Sequence, residues 1–425
     1  MIVGAGQAGA RTAEALRANG FDGAITLIGE EAERPYERPP LSKSVLMGEE
    51  PFTRAYLHPE DYYSANGIEL VLATRVESIE PSRKELTLAG GRSIAYTKLA
   101  VCTGSRPRRL GPADPGLAAV HYLRTLRDCG ALAKELVPGR RLVAVGGGFI
   151  GLELASSALK LGLHVTVVEQ KPSLLDRAVP AQIGAYVQSL HAARGIDVRL
   201  NSRVAAVRGT ARVESVELAD GCTLPADVVA VGIGVIPNSE LAEAAGATSK
   251  DGLLVDEYGQ TSVLDVYAAG DVTNHPNPIL GRRVRLESWQ NAQNQAIAVA
   301  KNMLGIRTPY SEVPWFWSDQ LGHNIQLLGF AQSQDEVVWR GDRDAGRSIA
   351  FTLADGRVTS LIAFNAGAEL RFGRRLIESR VQIAAEVLRD ISRPLKDIVS
   401  GIPRPRAQNP QLPEGEHHER RPVAN

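Results

Sequence analysis

Two glycine-rich segments have the residue types and spacing that bind a dinucleotide. Residues 4–9, GAGQAG, follow the apolar residues 1–3, and residues 146–151, GGGFIG, follow the apolar run 142–145. In such a turn the first glycine permits a tight bend, the second admits the pyrophosphate, and the third lets the helix pack against the strand. One copy alone also fits an ordinary tight turn, but two copies predict two different dinucleotides. The glycines concerned are Gly4, Gly6, Gly9, Gly146, Gly148 and Gly151.

An acidic residue ends the strand predicted after each glycine turn. Glu30 follows the apolar segment 24–28, and Glu169 follows the segment 165–168. A carboxylate at this place accepts hydrogen bonds from ribose hydroxyls and repels a 2′-phosphate. Glu169 therefore favours NAD over NADP, although Lys171 and Arg177 are nearby cations that could reverse the preference.

The elements that must position these turns alternate between strand and helix. Further apolar strands are predicted at 98–103, 227–234 and 265–269, and the last of these runs into Gly270 and Asp271. This pattern predicts an α/β fold with two Rossmann-like dinucleotide-binding domains. Beyond Pro309, residues 348–353 and 357–362 predict an antiparallel hairpin in a separate α+β domain.

Composition excludes several classes of partner. The chain has 425 residues, and its 48 basic and 48 acidic residues cancel, so no net positive field would hold nucleic acid or an anionic membrane. No apolar run is long enough to span a membrane. The three cysteines, Cys102, Cys129 and Cys222, lie far apart and form no close pair, which favours a reducing, cytoplasmic setting.

The order of motifs resembles one enzyme family over residues 1 to about 400. The motifs are VGAGQAG, PYERPPLSK, CTGSRPR, VGGGFIGLELA, VYAAGDV, ESWQNAQNQA and WFWSDQ. Together they resemble the FAD-dependent ferredoxin reductases of bacterial Rieske oxygenases and cytochromes P450, of the putidaredoxin, rhodocoxin and biphenyl dioxygenase type. These enzymes are similar in fold to glutathione reductase but have no redox disulfide.

The resemblance implies a domain order and a reaction. The first glycine unit would bind FAD and the second NADH, and the reduced flavin would give single electrons to a small [2Fe-2S] ferredoxin of plant or Rieske type. The protein itself would be a monomer or a weak homodimer. The implied domains are an FAD-binding domain in two parts (1–110 and 238–311), an NAD-binding domain (111–237), a C-terminal α+β domain (312–402) and a disordered tail (403–425).

Lys43 and Glu153 are the candidate catalytic residues. Pro39 and Pro40 predict an extended backbone that aims the Lys43 ammonium at one place, where it would stabilise the anion formed as the flavin is reduced. Glu153 is flanked by apolar residues, and a buried carboxylate needs a cationic partner. The resemblance implies a Lys43–Glu153 ion pair beside the flavin. A solvated loop lysine and an acid placed by the helix dipole are the plainer interpretations.

Other candidate cofactor-binding residues carry over from the family position by position. Asp271 would bind the flavin ribityl chain, Val76 would meet the adenine, Arg124 would contact FAD, and Trp289 would lie close to the isoalloxazine. The remaining candidates are Ala8, Arg38, Thr103, Gly104, Ile150, Gly234, Gly270, Glu287 and Trp317.

Missing residues exclude related activities. Residues 35–45 contain no cysteine, which argues against a disulfide reductase and a cysteine-dependent peroxidase. Two alternatives stay open: an NADH:quinone or dye reductase, and an NADH-responsive interaction flavoprotein similar to apoptosis-inducing factor. The stretch 321–324 departs from the family near its docking face and leaves the partner's identity open. Arg282, Arg283 and Arg285 fit either a patch for an acidic partner or a solvated loop.

Overall fold

A five-stranded parallel sheet forms the first domain from strands that lie far apart in the sequence. In the computed structural model, which describes residues 1–402, its strand order is Val266–Ala268, Leu99–Val101, Ile2–Val3, Ile25–Ile28 and Ile68–Val71. Helix Gln7–Ala18, here called the first glycine helix, joins two of these strands. Helix Trp289–Met303 packs against the first glycine helix. The chain therefore returns to its first domain after residue 265.

A second parallel sheet repeats this plan. Its strand order is Asp197–Arg199, His164–Val168, Arg141–Val145, Val228–Val231 and Val120–Tyr122. Helix Phe149–Lys160, here called the second glycine helix, joins two of its strands. Strand Val228–Val231 is buried along its whole length, as expected for a parallel strand covered on both faces. Helices Leu126–Ala133 and Ala181–Ala192 belong to the same part of the chain.

Each parallel sheet is accompanied by a three-stranded antiparallel ribbon. The first ribbon consists of Val76–Glu80, Glu85–Leu88 and Ser93–Ala95, and the second of Val204–Arg208, Ser215–Leu218 and Thr223–Pro225. The two connections between the domains also pair with each other, because strand Ser105–Pro107 lies antiparallel to Val235–Pro237. These paired segments lie next to the predicted domain boundaries at 110/111 and 237/238.

The C-terminal residues form an antiparallel sheet with helices. The strand order is Trp315–Gln320, His323–Gly329, Arg357–Phe364, Arg347–Ala354 and Glu336–Asp342, followed by helices Leu370–Ser379, Ala385–Arg389 and Leu395–Ser400. The predicted hairpin is confirmed, with Ala354 opposite Arg357 at its turn. The predicted fold class, two Rossmann-like domains with a C-terminal α+β domain, is confirmed as well. The tail expected to be disordered, 403–425, lies outside the described residues.

One local expectation was wrong. Residues Pro39–Ser42 form a turn of 3-10 helix and not an extended segment. Proline fixes φ near −65°, which suits a 3-10 turn as well as an extended chain. Of the three arginines at 282, 283 and 285, Arg282 and Arg283 lie in strand Arg282–Val284, which pairs with strand Thr273–Asn277. Among residues 1–402, no helix is long and apolar enough to cross a membrane.

His275 is a titratable group inside this fold. Its strand, Thr273–Asn277, alternates buried and half-buried positions, and His275 is on the buried side with its ring centroid 5.2 Å from that of Tyr310. Neither ring nitrogen has a hydrogen-bond partner. Burial, reinforced by the nearby Arg283 charge, lowers the pKa of His275 to about 4.

We expect His275 to make the protein less stable in acid. Between pH 6.5 and 4 the unfolded chain binds a proton that folded His275 does not, so the free energy of unfolding falls by about 2 kcal/mol between pH 7 and pH 4.5. The His275→Phe variant should lack this part of the loss, as measured by urea unfolding at both pH values. The exposed His164→Phe control should retain the wild-type loss, and an unchanged loss in His275→Phe would contradict the expectation.

Candidate functional site

The first glycine turn reserves open space at one of its three glycines. Gly4 has φ +109°, and a Cβ placed there would lie 2.1 Å from the Cys102 carbonyl oxygen. A Cβ on Gly9 would lie 1.9 Å from the Gly4 carbonyl oxygen. In contrast, a Cβ on Gly6 would meet no atom within 4 Å. Packing therefore requires glycine at positions 4 and 9, whereas the space at Gly6 suits a group that approaches from outside the chain.

The second glycine turn has the same design. Gly146 has φ +111°, and a Cβ on Gly151 would lie 1.9 Å from the Gly146 carbonyl oxygen. A Cβ on Gly148 would have only the Gly232 carbonyl oxygen, 4.0 Å away, within reach. Ile150, the second residue of the second glycine helix, is 43% exposed beside this space.

Both helix N-termini are suited to an anion. Neither Gly6 nor Gly148 caps its helix with a side chain, and neither first turn contains an acidic residue. The free N–H groups and the helix dipole therefore favour a phosphate at each end. In the first turn, both side-chain polar atoms of Gln7 are buried without a partner. These features fit the pyrophosphate groups of two dinucleotides.

The two acids occupy different surroundings. The Glu169 carboxylate accepts hydrogen bonds from the Gly147 amide at 2.6 Å and from the Lys171 amide at 2.7 Å, so it is held against its turn. Glu30 is 71% exposed, with one carboxylate oxygen 3.7 Å from Arg75. Val76, the next residue, is buried at the start of its ribbon. Glu30, the candidate contact for the ribose, therefore lies close to Val76, the candidate contact for the adenine.

The guanidinium of Arg177 lies beside Gly234 in the second domain. One of its terminal nitrogens is 3.1 Å from the point where Gly234 would carry a Cβ, and Gly234 has φ +99°. The backbone amide of Lys171, and not its ammonium, is the group that bonds to Glu169.

A cluster of partly buried charges surrounds Asp271. Its carboxylate accepts a hydrogen bond from Ser105 at 2.8 Å and one from Arg124 at 3.2 Å. The Arg38 guanidinium donates to the Arg124 carbonyl and pairs with Glu31 at 2.7 Å. Burial lowers the pKa of Arg124, and the neighbouring Arg38 charge lowers it further. Because Arg124 Nε is buried and unpartnered, this cluster fits a polar or anionic part of FAD.

Four further candidates lie near this cluster. A Cβ on Gly104 would lie 3.3 Å from Arg124 Nη2, and a Cβ on Gly270 would lie 3.0 Å from the Ala8 side chain. The hydroxyl of Thr103 donates to the Asn238 carbonyl at 2.7 Å, so this side chain is bonded within the protein. Ala8, Gly104 and Gly270 thus connect the first glycine turn with the segments that follow the strands of its sheet.

Lys43 and Glu153 form an ion pair between the two dinucleotide-binding domains. Lys43 Nζ lies 2.8 Å from Glu153 Oε2, and the Glu153 side chain is only 2% exposed. The same Oε2 accepts a hydrogen bond from Ser42 at 2.5 Å, and Oε1 accepts one from Ser318 at 2.6 Å. The carboxylate therefore has a cation and two hydroxyl donors, which meets the requirement for a buried charge.

Sequence reasoning did not identify Ser42 or Ser318 as part of this site. Ser42 precedes Lys43, but a serine in a Pro-rich turn is unremarkable. Ser318 lies 165 residues from Glu153 and belongs to the C-terminal sheet. The motif WFWSDQ contains the residue but gives no sign of its partner.

Three tryptophans lie between helix Trp289–Met303 and the C-terminal sheet. The Trp289 indole donates to Glu37 at 3.0 Å, and its ring centroid lies 6.1 Å from that of Trp317. Trp317 stacks on Trp315 with centroids 5.1 Å apart. Helix Trp289–Met303 and the C-terminal sheet are thereby brought together.

The candidate residue Glu287 and the three arginines at positions 282, 283 and 285 make contacts within the protein. Glu287 pairs with Arg285 at 2.6 Å, and Arg285 also pairs with Asp251. Arg282 lies over the Phe330 ring, and Arg283 donates to the carbonyls of residues 255 and 274. These contacts account for all three guanidiniums without an external partner.

We expect alanine to separate the packing role of Gly9 from the binding role of Gly6. Gly9→Ala should destabilise the apoprotein by at least about 2 kcal/mol, because its Cβ would overlap a backbone carbonyl. Gly6→Ala should leave the stability of the apoprotein within about 0.5 kcal/mol of wild type but lower the bound-flavin content. Thermal unfolding of flavin-free protein and the flavin absorbance after reconstitution measure the two effects. Equal loss of stability in both variants would contradict this assignment.

Comparison with known proteins shows which enzymes this chain is similar to. The family model described as pyridine nucleotide-disulphide oxidoreductase matches residues 1–296, and the model described as reductase C-terminal matches residues 315–399. The chain is 45% identical over 379 residues to the anthranilate 1,2-dioxygenase system ferredoxin–NAD(+) reductase component of Burkholderia cepacia, covering 89% of this chain and 93% of the relative. It is 36% identical over 407 residues to putidaredoxin reductase of Pseudomonas putida, covering 94% and 96%.

Solved structures give the same result. The covalent putidaredoxin reductase–putidaredoxin complex matches with a TM-score of 0.91 at 36% identity, covering 94% of this chain and 98% of that chain. The ferredoxin reductase for the CYP199A2 system of Rhodopseudomonas palustris matches with a TM-score of 0.90 at 38% identity, covering 93% and 98%. The resemblance inferred from the sequence motifs is confirmed.

Proposed function

The chain belongs to the pyridine nucleotide-disulphide oxidoreductase family, and we propose that it is an FAD-dependent NADH:ferredoxin reductase. It takes hydride from NADH and passes single electrons to a small [2Fe-2S] ferredoxin that feeds a Rieske oxygenase or a cytochrome P450. The observation that carries the proposal is the Lys43–Glu153 pair, which joins the FAD-type domain to the helix of the second glycine turn. FAD, when bound, supplies the conversion of a two-electron donor into one-electron steps.

The chain's own residues bind, orient and supply charge. The two helix N-termini neutralise pyrophosphate, and the Arg124–Asp271 cluster adds bonded polar groups to the first site. Lys43 presents a fixed ammonium at the boundary of the two domains, and Glu153 holds that ammonium in place. A preorganised charge of this kind stabilises negative charge that develops on reduction without further reorganisation.

Glu169 supports the choice of NADH over NADPH. Its two carboxylate oxygens are fixed by backbone amides, so the negative charge stays where a 2′-phosphate would have to lie. The relatives named above support ferredoxin as the acceptor in preference to a quinone or dye. Three free thiols, at Cys102, Cys129 and Cys222, support a cytoplasmic location.

We expect purified protein to be yellow and to be bleached by NADH. In an anaerobic titration, the flavin band near ~450 nm should disappear with NADH at a concentration at least about tenfold lower than with NADPH. Glu169→Gln should reduce this preference, because a neutral amide does not repel the 2′-phosphate. A colourless protein would overturn the flavoenzyme assignment, and bleaching by NADPH alone would overturn the interpretation of Glu169.

A second assay tests the acceptor. With NADH present, reduction of cytochrome c should depend on an added [2Fe-2S] ferredoxin and should stay near background when the ferredoxin is omitted. A soluble quinone in place of the ferredoxin should be reduced at least about tenfold more slowly, because only the protein partner can dock against a specific surface. Quinone reduction at the same rate as ferredoxin reduction would favour an NADH:quinone reductase.

A further inference from the structure

Ser318 connects the C-terminal sheet with the buried ion pair. It is fully buried on strand Trp315–Gln320, and its hydroxyl donates to Glu153 Oε1 at 2.6 Å. Lys43 bonds to the other oxygen, Oε2, of the same carboxylate. Glu153 is therefore held on one side by the FAD-type domain and on the other by the C-terminal domain.

The Glu153 carboxylate can only accept a hydrogen bond, so the Ser318 hydroxyl must donate to it, and a second residue bonds to the same hydroxyl. Gln320 Nε2 lies 2.8 Å from the Ser318 hydroxyl oxygen, and Gln320 is itself buried. An amide nitrogen only donates, and a serine hydroxyl has one proton. Since Ser318 accepts from Gln320, its single proton is left for the carboxylate. The chain of donors runs from Gln320 through Ser318 to Glu153.

A neighbouring contact fixes the same strand to the same helix. The Leu321 amide donates to the Ser156 hydroxyl at 2.7 Å, one turn along the second glycine helix from Glu153. The adjacent Ser157 hydroxyl donates to the Ser42 carbonyl of the first domain at 2.7 Å. The second glycine helix is thus fastened to both neighbouring domains around Glu153, which keeps the distance from Ser318 to the carboxylate short.

We propose that Ser318 is a positioning residue for Lys43, acting through Glu153, and that it adjusts the redox equilibrium of the bound flavin. The inference rests on the proposed function as a flavoprotein. The positive end of the Ser318 hydroxyl dipole faces Glu153 Oε1 and partly neutralises the carboxylate. Without this hydroxyl, the Glu153 carboxylate makes the electrostatic potential around the Lys43 ammonium more negative. Negative charge on the reduced cofactor is then stabilised less. Removing the hydroxyl should therefore favour the oxidised flavin.

The test compares the flavin midpoint potential of wild-type and Ser318→Ala protein by equilibration with a reference dye. Ser318→Ala should keep the wild-type flavin content and shift the ratio of reduced to oxidised flavin about threefold to tenfold toward oxidised. A tenfold shift corresponds to ~30 mV for a two-electron couple. Ser318→Cys, which keeps a weaker donor, should give an intermediate shift, and it decides the question if the alanine variant does not fold.

Two controls separate this role from general structural damage. Ser360→Ala removes a buried hydroxyl of the same sheet that bonds to Thr352 at 2.6 Å and not to Glu153, and it should leave the potential unchanged. In a Glu153→Gln background, Ser318→Ala should shift the potential by less than half of its effect in wild type, because the charge it acts on is gone.

The outcomes distinguish the two proposals. Flavin that binds and is bleached by NADH, but whose potential is the same in Ser318→Ala and Ser318→Cys as in wild type, would overturn the role of Ser318 and leave the proposed function intact. An equal shift in the Glu153→Gln background would also overturn it. Wild-type protein that binds no flavin would overturn both proposals.

Discussion

A carboxylate with a side-chain exposure of 2% must be surrounded by donors, and this requirement organises the centre of the molecule. Glu153 meets it with Lys43 and Ser42 from the first domain and with Ser318 from the C-terminal sheet. Removing one partner of a buried pair typically costs 3–5 kcal/mol, so three separate parts of the chain are bound to one position. A charge that would be costly alone becomes the point at which the domains are aligned.

The two glycine turns show how one backbone solution serves two sites. In both, the first and third glycines are required by contact with the chain itself, while the space beside the second is open. The surroundings then differ. Asp271, Arg124 and Arg38 form a charged cluster near the first turn, whereas the Glu169 carboxylate is bonded to the second. The repeated unit provides the phosphate site, and the residues outside it decide which dinucleotide each copy receives.

The features of the fold and the site that depend on residues close together in the sequence could be predicted. The glycine turns, the strand-terminal acids and the hairpin at 348–362 are set by local backbone geometry and periodicity. Ser318 and Gln320 could not be predicted, because a serine hydroxyl bonds with many partners and its partner lies 165 residues away. The error at Pro39 and Pro40 has a similar cause, since a fixed φ leaves ψ undecided and packing selects the 3-10 turn. Family resemblance brought Lys43 and Glu153 together, where residue patterns alone left each with a plainer explanation.

The antiparallel pairing of Ser105–Pro107 with Val235–Pro237 has a consequence for how such a protein can change. Pro107 and Val235 are direct partners across this ribbon, so the chain leaves the first domain and re-enters it at one point. Everything between them is an insertion with adjacent ends, and a short hairpin loop could close the gap. The nucleotide-binding domain can therefore be exchanged as one unit during evolution. A replacement domain with a different coenzyme preference has to retain the helix face formed by Glu153, Ser156 and Ser157. It also has to retain the contacts of Arg124 with Asp271 and Arg38.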